Sequence, residues 1–196
     1  MVEIITDNLA QNFISSPVIS KATGCVKYVP EKKKLTPTAS LFYRETGTGG
    51  KDCVTNRKVT DFLPSSKEKG ILFFNDLGAK SEKWNGHFLK WKGSAEMVCW
   101  FNTDLINENL NVGEIKGHLI NLMPDEILPS QYILKGRVWI ENIMPKGEDP
   151  FKKCKLNVEK FQYLTHPYDH FYAKISFIVF TQKGCPTTIT LDPALC

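Results

Sequence analysis

Apolar residues recur along this chain with two different periods, and each change of period marks an element. Val2, Ile5, Leu9 and Phe13 are spaced by three and four, which places them on one face of a helix. Pro17, behind Ser15-Ser16, predicts its end. Strand patterns follow at 24–29 and 39–44, separated by a basic loop between Pro30 and Pro37. The polar stretch from Glu45 to Lys58 keeps neither period and reads as a loop, or as an arm that orders on a partner. Ile71-Leu72-Phe73-Phe74 predicts a buried strand, and Asn75-Asp76 a turn after it.

The densest apolar region lies in the middle. Between His87 and Phe101 two aromatic-containing runs flank Lys92-Gly93-Ser94. In the second, Ala95, Met97, Cys99 and Phe101 alternate with Glu96, Val98 and Trp100, a period of two that predicts a strand. Val98 and Trp100 share the second face, so a helix or a neighbouring subunit is expected to cover it. Residues 104–110 predict a short helix. Asn111 followed by Glu114 matches a capping box, and Ile115, Leu119 and Leu122 or Met123 form the stripe of a helix closed by Pro124. Tyr132 to Glu141 alternates as a long strand carrying Trp139, and Phe171 to Thr181 as a last strand carrying Phe180. Pro145 to Lys153 reads as a loop between them.

Strand runs with helices set among them predict an α+β fold, an antiparallel β-sheet flanked by a few α-helices, with extended loops or arms. With 196 residues the chain suits a single domain, 1–196, in which 20–60 forms an extended arm or insertion. Trp100, Trp139, Phe180 and Tyr43 are the aromatic residues expected at a subunit interface.

Composition narrows the class. A hydrophobic content of 42% supports a packed core, yet no apolar run approaches the roughly 18 residues of a membrane span. The first residues carry Glu3 and Asp7 and no basic segment, unlike a secretory signal. The six cysteines are spaced widely and irregularly, which predicts reduced thiols, with Cys99 in the core and Cys196 exposed. The net charge of +4 gathers in two clusters, Lys32, Lys33 and Lys34, and Lys152, Lys153 and Lys155. Each is either a solvated loop or a contact for an anionic partner, including non-specific DNA contact. Neither is interleaved with aromatic residues as a base-stacking surface would be.

Candidate chemistry is sparse. A phosphate-binding loop needs Gly-x-x-x-x-Gly-Lys-Ser/Thr, but Glu45 stands at the first glycine position and Asp52 follows Gly50-Lys51. His166-Pro167-Tyr168-Asp169-His170 holds two imidazoles and a carboxylate, but Pro167 disfavours the helix that would converge them. That segment reads as a turn into the last strand, with Tyr168 as a packing anchor. No Gly-x-Ser-x-Gly elbow is present. The expectation is therefore a protein that is not an enzyme, with no cofactor, no catalytic residue and no metal ligand.

One combination resembles a known family. Trp84-Asn85-Gly86-His87-Phe88-Leu89-Lys90-Trp91, running into Glu96-Met97-Val98-Cys99-Trp100-Phe101-Asn102, resembles strands of tail-terminator or neck proteins of tailed bacteriophages. Thr165-His166-Pro167-Tyr168-Asp169-His170-Phe171 is similar to their closing region. The likeness covers about half the chain and leaves 20–60 without a counterpart. It implies a structural virion protein, assembled in the host cytoplasm, whose copies form a ring, commonly hexameric, between the tail tube and neighbouring tail or neck proteins. No membrane association is implied. The competing readings are a small soluble α+β enzyme or ligand-binding domain of unknown substrate, and a nucleic-acid-binding module.

Overall fold

The apolar stripe at the start of the chain forms α1, Val2–Ala10, continued by a 3-10 turn, Gln11–Phe13. Val2, Ile5, Leu9 and Phe13 are all buried, as their spacing predicts. In this computed structural model the described residues are 1–29, 34–37, 62, 64–86, 88–106, 110–129, 133–144, 163 and 165–182, side chains of 27–29 and 34–37 excepted.

The strands are β1 (Lys21–Val29), β2 (Lys34–Pro37), β3 (Gly70–Trp84), β4 (Phe88–Asn102), β5 (Glu126–Ile127), β6 (Lys135–Met144) and β7 (Tyr168–Gln182). Two helices, α2 (Thr103–Ile106) and α3 (Val112–Asn121), lie between β4 and β5. The strands form one sheet in the order β2-β1-β3-β4-β7-β6-β5. The α+β class holds, but the sheet is mixed: β1 runs parallel to β3, and every other described pairing is antiparallel. Parallel neighbours cannot be joined by a tight hairpin, and β1 and β3 are separated by β2 and the long polar stretch.

Several local expectations change. Residues 34–37, expected in the basic loop, pair with β1 as a strand. Asn75-Asp76 is not a turn; β3 runs through it, with a bulge between Asp76 and Ala79 where Gly78 takes φ +99°. The chain reverses instead at Asn85 and Gly86, both at positive φ, so Trp84 pairs with Phe88. Lys92-Gly93-Ser94 does not divide two runs but lies inside β4. A side chain at Gly93 would meet Phe177 Cζ at 2.5 Å and Ala79 Cβ at 2.7 Å, so glycine lets the bulge and β7 close on the middle of the strand. The strand expected at 132–141 is shifted to 135–144. The strand expected at 39–44 lies outside the described residues.

The helices cover one face of the sheet. Val2, Ile5 and Leu9 of α1 and Ile115 and Leu119 of α3 join Leu72, Phe74, Met97, Cys99, Phe101, Ile175 and Phe177 in the main core. Both halves of the α3 capping box form: Asn111 Oδ1 accepts from Glu114 N at 2.9 Å, and Glu114 Oε2 from Asn111 N at 2.8 Å. Ser16 Oγ lies 3.2 Å from His118 Nε2 and ties the α1 exit to α3.

Candidate functional site

Strand alternation sends the remaining residues of β3, β4, β6 and β7 to the opposite face, where three zones follow one another along the strands. At the α2 end, Ile71, Phe73, Val98, Trp100 and Tyr172 pack with Phe62 as a second cluster. Trp100, expected to need a helix or a neighbouring subunit, is fully buried by its own chain. Its indole stacks on Tyr168 (5.2 Å, 19°), meets Tyr163 edge-on (6.2 Å, 79°) and donates Nε1–H to Tyr163 O at 2.7 Å. Tyr168 is the packing anchor its position in the turn predicts.

The middle zone is polar. Asn75 Nδ2 donates to the buried Glu96 Oε2 at 3.0 Å. Lys174 Nζ lies 2.6 Å from Glu141, which also accepts from Ser176 Oγ. These two donors, Lys174 foremost, hold the Glu141 carboxyl below its usual range.

Towards the hairpin tip the face turns aromatic and cationic. Cross-strand register sets two rows: Glu82, Lys90, Phe180 and Lys135, then Lys80, Lys92, Ile178 and Arg137. Trp84 and Phe88 pair ahead of the first row, and Trp139 lies two residues beyond Arg137 on the same face. Trp84 meets Phe180 edge-on at 5.5 Å, with Lys90 Nζ 5.0 Å above the Trp84 ring. Lys135 Nζ stands 5.5 Å over Phe180. Glu82 bridges Lys90 at 3.2 Å and Lys92 at 3.1 Å, and these hydrogen bonds, Lys92 first, keep its carboxyl below the usual range. Between β5 and β7 a groove of about 720 Å³ opens, floored by Ile178 and Phe180 and walled by Leu128, Arg137 and Trp139. A smaller hollow of about 290 Å³ joins it through Lys135 and Phe180 and reaches Trp84, Phe88 and Leu134. Trp84 is 45% exposed, Trp139 43% and Leu128 72%, large apolar side chains set among the lysines and Arg137 of this zone.

The residues singled out from the sequence thus separate. Trp139 and Phe180 belong to this groove; Trp100 lies in the buried cluster at the far end. Lys34 is on β2, whereas Tyr43, Lys32, Lys33, Lys152, Lys153 and Lys155 lie outside the described residues. Trp84, Phe88, Lys90, Lys135 and Arg137 were not singled out as a site; the Asn85-Gly86 turn, read as a hairpin, would have brought the first three together. Among the described residues no three His, Cys, Asp or Glu side chains gather as metal ligands. His170 is instead buried, edge-on to Tyr172 at 5.7 Å.

The helix-covered face holds one perturbed acid. Burial pushes the Asp7 carboxyl up to about 7 against the pull of the Gly24 N–H, with Glu3 adding repulsion. Cys25, beside Thr6 Oγ1 at 3.3 Å, is raised by burial to about 12, so its thiol stays protonated and unreactive.

Fold and face define a mixed-sheet α+β domain with helices on one side and an aromatic, cationic groove on the other. No family model matches the chain, and a search of curated proteins finds no match. Among the described residues no helix is long and apolar enough to cross a membrane.

Proposed function

We propose that this protein is a structural assembly subunit whose copies join through their sheets into a ring. The observation that carries the reading is a pair of strand edges that outrun their neighbours. β1 pairs with β3 only as far as Phe74, although β3 continues to Trp84. β5 pairs with β6 only at Gly136 and Arg137, with one further bond from Val138 N to Asp125 O at 3.0 Å, although β6 continues to Met144. Among the described residues, no strand pairs with the outer side of β3 from Asp76 to Trp84 or of β6 from Trp139 to Met144. The two edges lie on opposite sides of the sheet and at opposite ends of its strands. Joining one to the other in a neighbouring copy is therefore head-to-tail, and a head-to-tail contact closes into a ring when its rotation permits. The resemblance to phage tail-terminator and neck proteins gives the particular form, a ring at the junction of tail and neck.

Size-exclusion chromatography with light scattering tests this on the full chain. A closed oligomer that dissociates when Ile143→Lys places a charge on the β6 edge is the expected outcome. A strict monomer up to high micromolar concentration would overturn the reading.

A further inference from the structure

We infer that the groove at the hairpin end of the open face binds single-stranded nucleic acid, stacking bases on Trp84, Phe88, Trp139 and Phe180. This goes beyond the assembly reading and uses the face of the sheet rather than its edges, so either can fail alone.

A single strand requires exposed π faces for its unstacked bases and cations beside them for its phosphates. Neither lysine cluster in the sequence meets that requirement by itself. The fold meets it with residues scattered over four strands. Trp84 and Trp139 are each more than two-fifths exposed, and Phe180 lies between β4 and β6, flanked across the strands by Lys90 and Lys135. Phe180 and the level of Trp139 are four residues apart along β7, about 13 Å at ~3.3 Å per residue, room for two or three bases on a sheet surface.

The charge has the right sign and place. In the two cross-strand rows Lys80, Lys90, Lys92, Lys135 and Arg137 face Glu82, with Glu126 opposite Arg137 on β5. Glu82 is engaged by Lys90 and Lys92 together, so a positive excess stays over the aromatic rings. A duplex is a poorer fit, because its base faces are already stacked inside the helix. A purely apolar partner would leave Lys135 and Arg137 desolvated beside it, at a cost.

The test is fluorescence anisotropy of the full chain with a fluorescein-labelled oligothymidylate of about 20 nucleotides, from 50 to 300 mM salt. Binding that quenches tryptophan emission and weakens with salt is expected. Trp84→Ala and Trp139→Ala should each weaken it about ten-fold, with Trp84→Phe restoring most of the loss. The double variant Lys135→Ala/Arg137→Ala should flatten the log–log salt slope by about 1.4. All four side chains sit on the surface, and unchanged far-ultraviolet circular dichroism checks the fold of each variant. Three results would overturn the inference: no binding at 50 mM salt; binding that Trp84→Ala and Trp139→Ala leave unchanged; or the same two variants dissociating an oligomer that binds no oligonucleotide, which assigns the groove to a second copy.

Discussion

Asp7 shows how one residue can set the pH response of a fold. The residue is 5% exposed, and its carboxyl packs where β1 carries Gly24, at a spot a side chain on that glycine would occupy. Because the folded chain raises the carboxyl to about 7, while an unfolded aspartate titrates near 4, folding favours the protonated form. The contribution of Asp7 is then most favourable below pH 4, declines as pH rises towards 7, and stays at its minimum above that. Asp7→Asn keeps the oxygen that accepts from Gly24 and removes the charge. It is expected to match the wild type at pH 4 and to exceed it at pH 8 by on the order of 4 kcal/mol, since each of the roughly three pH units between the two values is worth about 1.4 kcal/mol. Urea unfolding of both proteins across that range is the measurement; a constant difference would deny the coupling. Nothing in the sequence marks Asp7, which falls beside a well-read helical stripe as an ordinary polar residue. Its burial follows from α1 lying flat on β1, a long-range contact that local periodicity does not carry.

Among the elements, those fixed by local chemistry were legible. α1 follows from its three-four spacing, α3 from its capping box, and β7 from its alternation. What failed was the reading of glycine and asparagine as stops. Gly93 interrupts an apolar run in sequence, yet its missing side chain is what lets Phe177 and the Gly78 bulge approach β4. Gly93→Ala is accordingly expected to cost about 1–3 kcal/mol through overpacking in the middle of the sheet, read as a lower urea midpoint at unchanged slope. A loss within experimental error would mean that β3 and β7 separate to accept the methyl group. The groove was illegible for a related reason. Lys90, Phe180 and Lys135 lie far apart in the chain and become neighbours only through the registers β4–β7 and β6–β7. Single residues such as Trp139 stand out in a sequence; rows across strands do not.

For the whole molecule, the division of labour between faces follows from the placement of the helices. Among the described residues, α1 and α3 both pack on one side, and on the other the aromatic cluster at Trp100 closes part of the length of the strands. The sheet order has a further consequence, for the growing chain rather than the finished one. β7 is the last described strand, yet it pairs with β4 along all fifteen residues of both. During synthesis the β3–β4 hairpin therefore leaves the ribosome with a long apolar edge and waits for some seventy residues before its partner arrives. A chain stopped before Tyr168 is expected to aggregate rather than fold, with the full chain remaining dispersed under the same conditions, as sedimentation of nascent-chain products would reveal. Until Gln182 is made, this protein depends on whatever shields a bare strand in the cell.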